Sequence, residues 1–209
     1  MSSNISVVEA SLVACPIGVS VKALYDLAEI KSGQTIVVFG AGGGLGVHAL
    51  QVASDVGTNV IAFTTSPHKL GEIEALNIGQ VFLSEDGIDP SELVHAFTED
   101  RGADIIFNPV GSSLLRSSVS SVALSGKILI LGEIERPSAS MNVTELMFRD
   151  ASLIGSTGAD LLNIEKAISL VESGSVKPII GSTLGFEDLL EAYTLVKRRE
   201  PIGRIVLQP

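Results

Sequence analysis

A chain of 209 residues, 45% hydrophobic and 18% charged, is long enough for one packed domain with an appendage and too apolar for disorder. Fourteen Lys and Arg against 24 Asp and Glu give a net charge of −10, which excludes nucleic acid and anionic lipid as expected partners in the absence of a basic patch. The single cysteine, Cys15, cannot form an internal disulfide, and no basic, apolar leader precedes it, so the cytoplasm is the expected compartment.

Residues 7–12 and 19–30 read as helical, with Pro16 and Gly18 between them and the turn Lys31-Ser32-Gly33 after them. Apolar, β-branched runs at 35–39, 59–63, 80–83, 103–107, 127–131 and 152–154 then predict strands. They alternate with helices at 44–56, 67–76, 90–97, 113–124 and 142–148, for which Ser66 and Asp89 are expected N-caps ahead of Pro67 and Pro90. Continuous apolar strands imply burial on both faces, as in a doubly wound α/β sheet of six parallel strands with short flanking helical segments. Behind that sheet the sequence predicts a helix at 164–173, a short run at 176–180, a helix at 186–197 and a last apolar run at 203–208. No Asp, Glu, Lys or Arg lies between Lys31 and Asp55, yet Gly40, Gly42, Gly43, Gly44 and Gly46 break that stretch into a strand, a glycine loop and a helix, so no membrane span is expected there.

The strongest chemical signal is Val37-Val38-Phe39-Gly40-Ala41-Gly42-Gly43-Gly44-Leu45-Gly46, a buried strand that runs into a glycine turn opening a helix. Glycines serve there because the turn is tight, a diphosphate must approach the backbone, and the helix must pack on the sheet. Gly40, Gly43, Gly44, Leu45 and Gly46 are therefore candidate dinucleotide-binding residues on a Rossmann-type sheet, although the spacing is Gly-x-x-Gly-x-x-Gly. The end of the second strand selects the dinucleotide, because a carboxylate there holds the ribose hydroxyls of NAD and repels a 2′-phosphate. From Val56 to Gly71 there is no Asp or Glu, and the strand ends in Thr64-Thr65-Ser66-Pro67-His68-Lys69. The hydroxyls of Thr64, Thr65 and Ser66 and the Lys69 ammonium favour NADP(H); alternatively they are ordinary turn residues with a solvated lysine.

In order and spacing, Glu9-Ala10-Ser11-Leu12-Val13-Ala14-Cys15, Gly33-Gln34-Thr35-Ile36-Val37-Val38, Gly43-Gly44-Leu45-Gly46, Gly102-Ala103-Asp104-Ile105-Ile106-Phe107-Asn108-Pro109-Val110-Gly111, Gly126-Lys127-Ile128 and Pro201-Ile202-Gly203-Arg204-Ile205-Val206-Leu207 resemble the medium-chain dehydrogenases and reductases, which include zinc alcohol dehydrogenases and zinc-free quinone oxidoreductases. The resemblance implies the NADP(H)-binding domain of an oxidoreductase that transfers a hydride between nicotinamide and an alcohol or aldehyde, a quinone or an enone. It covers only the cofactor half of such an enzyme and implies three parts: a helical lead-in at 1–30, the dinucleotide-binding domain at 31–183, and a tail at 184–209 that packs on a substrate domain. The alternative is a free-standing NADP(H)-binding module without catalysis of its own.

By the same resemblance Val19 and Leu45 flank the nicotinamide, the main chain at Gly111 and Gly132 meets the ring or its carboxamide, and Arg204 reaches the diphosphate. Packing, turn geometry and a solvated arginine are the plainer alternatives. Cys15 stands where zinc-dependent members place a last ligand, but one cysteine cannot hold a catalytic zinc and no metal is expected. His48 is expected to be structural or solvent-facing, and Asp104 to end or cap the fourth strand. A homodimer is expected through a sheet edge built by residues 152–154 and 176–180, with a separate substrate domain as a further partner.

Overall fold

The computed structural model describes residues 5–84, 88–134 and 138–209. β1 (Thr35–Val38), β2 (Asn59–Thr64), β3 (Gly79–Leu83), β4 (Ala103–Asn108), β5 (Val122–Ile130) and β6 (Ser152–Gly155) form one parallel sheet in the order β3-β2-β1-β4-β5-β6. The α/β, doubly wound, six-stranded architecture expected from the alternation is thus present. Successive side chains of a strand point to opposite faces, and both faces here are apolar. Ile36 and Val38 of β1, Val60 and Ala62 of β2, and Ile105 and Phe107 of β4 join one core cluster. Val37, Ile61, Phe63 and Ile106 join the other, where Phe39 and Phe63 lie with ring centroids 5.6 Å apart.

The helices are α1 (Val7–Leu27), α2 (Gly46–Val56), α3 (Leu70–Glu74), α4 (Pro90–Phe97), α5 (Leu115–Ser121), α6 (Val143–Phe148), α7 (Leu161–Glu172) and α8 (Leu189–Lys197). α1 and α2 cover the first face with α7, while α4 and α5 pack together on the second. α1 contains wide π turns at Val13–Ile17, around Pro16, and at Lys22–Leu27. By length and composition alone it is apolar enough to cross a membrane, and half of its apolar window is buried inside this fold. Asp89 caps α4 by accepting from the Ser91 amide at 3.0 Å, and Gly57 ends α2 in the left-handed conformation at φ +84°.

Two expected elements of the sheet region are corrected. The helix expected at 113–124 ends at Ser121, and β5 begins at Val122, which pairs with Ala103. The register then shifts before Ile105 meets Lys127, and a bulge in β5 through Ser125 at φ +60° absorbs the shift. Residues 176–179 do not extend the sheet edge. The Lys177 amide donates to Gln51 Oε1 at 2.7 Å and its carbonyl accepts from Gln51 Nε2 at 3.0 Å, while Pro178 has no N–H to offer a ladder. The strand runs instead from Ile180 to Gly185 (β7) and pairs in parallel with β8 (Arg204–Gln208) in a separate two-stranded sheet. β6 alone therefore forms that edge of the large sheet.

Asp104 lies second in β4 and acts at the start of the strand rather than its end. Its carboxylate accepts from the Thr35 amide at 2.7 Å and from Arg101 Nη1 at 2.8 Å, which staples the beginnings of β1 and β4 together.

The strand order reverses between β1 and β4, so the connections leaving their carboxyl ends diverge and open a crevice. The glycine turn after β1 and the segment Asn108 to Gly111 after β4 both lie at that point.

Candidate functional site: a glycine turn roofed by a C-terminal strand

Three backbone bonds shape the turn after β1. The Ala41 amide donates to the Phe63 carbonyl at 2.9 Å, the Gly43 amide to Gly40 at 2.9 Å, and the Val47 amide to Gly43 at 3.1 Å. Gly40 has φ +60°, a conformation that glycine adopts without a steric penalty. A Cβ on Gly46 would strike the Gly40 carbonyl group and lie 2.9 Å from Ala41 Cα, so only glycine lets α2 start this close to the turn. Among the described residues the amides of Gly42 and Leu45 have no acceptor, leaving donors of the helix start available to an anion.

Two basic side chains lie over this turn. A Cβ on Gly42 would come within 2.7 Å of Lys69 Cδ, and one on Gly44 within 2.8 Å of Arg204 Cζ. Arg204 arrives because its strand sits directly on the turn: the Gly203 amide donates to the Gly42 carbonyl, the Arg204 amide to Ile179, both at 3.1 Å. The Arg204 Nε is buried without a hydrogen-bond partner. Lys69 is only 5% exposed, and burial depresses its ammonium pKa; Glu72 opposes that effect and Arg199 adds to it.

At the end of β2, Thr64 is buried and its Oγ1 accepts from the Ser66 amide at 3.2 Å. Ser66 is buried, but its hydroxyl makes no cap bond to the helical turn Pro67–Lys69, contrary to the capping expected from the sequence; that turn is a single 3-10 turn. Thr65 is exposed beside it. His68 Nε2 donates to the Glu200 carbonyl at 3.0 Å, so the chain leading into β8 is pinned to this loop as well.

At the other wall, Gly111 has φ +103°, and a Cβ there would lie 2.7 Å from the Gly132 carbonyl oxygen. Gly132 in turn lies so close to Pro109 that a Cβ would be 2.5 Å from its carbonyl oxygen. The residue that holds this wall is Asn108, fully buried, to which the sequence analysis assigned no role. Its Oδ1 accepts from the Val110 and Gly111 amides at 3.0 and 2.8 Å, and its Nδ2 donates to the Gly111 carbonyl at 3.0 Å. The signal for it is an amide side chain ending the run Ile105-Ile106-Phe107 immediately ahead of a proline.

Gly40, Gly43, Gly44, Gly46, Lys69 and Arg204 therefore form one contiguous group, and Val110, 3.1 Å from a Cβ built on Gly40, joins it to Gly111 and Gly132. Leu45 is half-buried against the larger core cluster, while Val19 is buried in α1 outside both clusters.

His48 is fully buried. The Ile179 amide donates to its Nε2 at 2.9 Å, so Nδ1 carries the proton and donates to the Gly44 carbonyl at 2.7 Å. Burial pushes its pKa down to about 4, partly offset by the Gly44 bond, and the Arg204 charge lowers it further.

Cys15 is exposed, and among the described residues no group of three or more His, Cys, Asp or Glu comes together. The donor set among the described residues does not fit a zinc ion, which needs three protein ligands at a catalytic site.

A family model described as zinc-binding dehydrogenase matches residues 44–173. The acryloyl-coenzyme A reductase of Sulfurisphaera tokodaii is 27% identical over 202 residues, covering 96% of this chain and 58% of that protein. The NAD-dependent alcohol dehydrogenase of the same organism is 30% identical over 212 residues, covering 99% of this chain and 59% of that protein. The crystal structure of AibC superposes with a TM-score of 0.92 at 25% identity, over 100% of this chain and 58% of that one. The chain thus spans a little under three fifths of the length of each of these relatives.

Proposed function

The chain belongs to the zinc-binding dehydrogenase family, and from that premise we propose that it is the NADP(H)-binding part of an oxidoreductase acting on an alcohol or aldehyde, a quinone or an enone. The observation that carries the reading is the pairing of an anion-ready glycine turn with a buried, unpartnered Arg204 Nε above Gly44. A diphosphate laid on the turn would meet the Gly42 and Leu45 amides from below and Arg204 from above, which supplies the missing acceptor. Bound there, a nicotinamide would supply a hydride to the substrate carbon, with a proton taken up to balance the charge. The chain's own residues orient it: the main chain at Gly111 and Gly132, held by Asn108, forms the wall against which the nicotinamide end rests.

NADP(H) is favoured over NAD(H) at the end of β2. Residues 56–71 contain no Asp or Glu; Thr64, Thr65 and Ser66 offer hydroxyls, while Lys69 and the nearby Arg199 supply positive charge for a 2′-phosphate. The test is a titration of Thr64→Asp with Lys69→Ala: the preference for NADPH over NADH should fall at least about tenfold, whereas an unchanged preference removes the assignment.

The substrate pocket would be completed by the part of the relatives that this chain does not span. It would sit on the 184–209 segment, where Phe186, Leu189, Leu190 and Tyr193 are exposed. With no metal set among the described residues, the alternative is a binding module without catalysis of its own, and hydride transfer from NADPH to a panel of aldehydes, quinones and enones separates the two: turnover by the chain alone defeats that alternative. The exposed edge strand β6, with Leu153 on it and Met147 and Phe148 exposed on α6 just before it, supports a homodimer through that edge. A clean monomer by light scattering would rule it out.

A further inference from the structure

Four residues around the glycine turn close a ring. His48 Nδ1 donates to the Gly44 carbonyl at 2.7 Å, and the Ile179 amide donates to His48 Nε2 at 2.9 Å. The Arg204 amide donates to the Ile179 carbonyl at 3.1 Å, and the Arg204 side chain returns over Gly44, with Cδ 2.5 Å from where a Cβ would stand. Two of the links, Ile179 to His48 and Arg204 over Gly44, join the turn to residues more than a hundred positions away in the chain.

Two features make this more than incidental packing. Ile179 uses both sides of its peptide linkage, its N–H to His48 and its C=O to Arg204, so its position is set by one and sets the other. Gly203, immediately before Arg204, has φ +67°, and a Cβ there would be 2.8 Å from the Ile179 carbonyl carbon, so the approach of β8 to Ile179 depends on glycine. The arrangement leaves the Arg204 Nε buried and without an acceptor, directed over the turn rather than into solvent. Orienting a long, flexible side chain in advance of binding removes part of the entropy cost of holding the ligand.

We infer that His48 is a positioning residue for the cofactor: as the Nδ1–H tautomer it ties the diphosphate turn to Ile179 and thereby fixes Arg204 over Gly44 before the nucleotide arrives. This rests on the proposed dinucleotide reading of the turn. His48 touches no ligand; it acts through Ile179 and Arg204. It serves the diphosphate grip, common to NADPH and NADH, and leaves the 2′-phosphate contacts at the end of β2 alone.

The experiment compares the unmodified chain with His48→Phe, which retains the ring volume and loses both bonds, and His48→Gln, whose Oε1 can still accept from the Ile179 amide. Affinities are measured for NADPH, for NADH and for adenosine 2′-phosphate, which has no diphosphate. His48→Phe should weaken NADPH and NADH alike by about tenfold while changing adenosine 2′-phosphate by less than about twofold, and His48→Gln should recover most of the loss. Equal losses for all three ligands, or no loss for NADPH, would overturn the inference.

Two measurements on the unmodified chain stand whether or not His48→Phe folds. Nitrogen-15 spectra of the histidines should show His48 with its proton on Nδ1, and NADPH should slow hydrogen exchange at the Ile179 amide. A proton on Nε2, or an Ile179 amide indifferent to NADPH, contradicts the ring. If the unmodified chain binds no nucleotide at all, the dinucleotide reading itself fails, a result distinct from binding that His48 does not influence.

Discussion

Lowering the pH from about 7 to about 5 should destabilise this fold through His48 specifically. In the folded chain the ring is fully buried, and its pKa is pushed down to about 4 from 6.5. A base whose folded pKa is depressed is held neutral, so its contribution is fully present above about 6.5 and is lost as pH falls through about 4. The total is about 3 kcal/mol at about 1.4 kcal/mol per pH unit, of which about 2 kcal/mol disappears between about pH 7 and 5. For a domain of this size that is a drop of about 4–8 °C in Tm. Burial is the main cause and the charge of Arg204, facing the ring from β8, is a smaller one. The assay is urea unfolding of the unmodified chain and of His48→Gln across that range, since carboxylates elsewhere titrate in both and cancel in the difference. The unmodified chain should lose about 2 kcal/mol more than His48→Gln. Parallel pH profiles would refute the buried, neutral imidazole.

Gly46→Ala places a methyl group 2.8 Å from the Gly40 carbonyl carbon, a backbone atom, and should cost about 1–3 kcal/mol by urea unfolding. Gly44→Ala meets only the movable end of Arg204, so it should cost less than about 1 kcal/mol in stability while weakening NADPH binding; the reverse order would contradict the geometry. Asn108→Ala strands the Val110 and Gly111 amides and the Gly111 carbonyl and should destabilise by at least about 2 kcal/mol, with Asn108→Asp, which keeps the acceptor, losing less.

The sheet was legible because Val, Ile and Phe buried on both faces leave continuous apolar runs, and the glycine turn was legible because tight approach of backbone to backbone admits no other residue. What the sequence concealed is what depends on partners distant in the chain. Residues 176–180 carry an apolar run, yet Gln51 takes both backbone groups of Lys177 and Pro178 lacks a donor, so the strand starts only at Ile180. Likewise 113–124 reads as helix, but Val122 finds Ala103 across the sheet and the strand begins there. At the site, local patterning singled out Gly40 to Gly46 and the run 56–71 without Asp or Glu. It missed Asn108, and it left His48 undirected because Ile179 is 131 residues away. Arg204 entered through family likeness alone; its placement over Gly44 depends on the pairing of β7 with β8.

Isothermal titration of the unmodified chain with NADPH and with NADH tests the central claim most directly. The account predicts one nucleotide per chain, with NADPH bound at least about tenfold more tightly than NADH because a 2′-phosphate meets the hydroxyls of Thr64, Thr65 and Ser66 and the positive charge of Lys69 at the end of β2. Absence of binding to either nucleotide, or a preference for NADH, would contradict it.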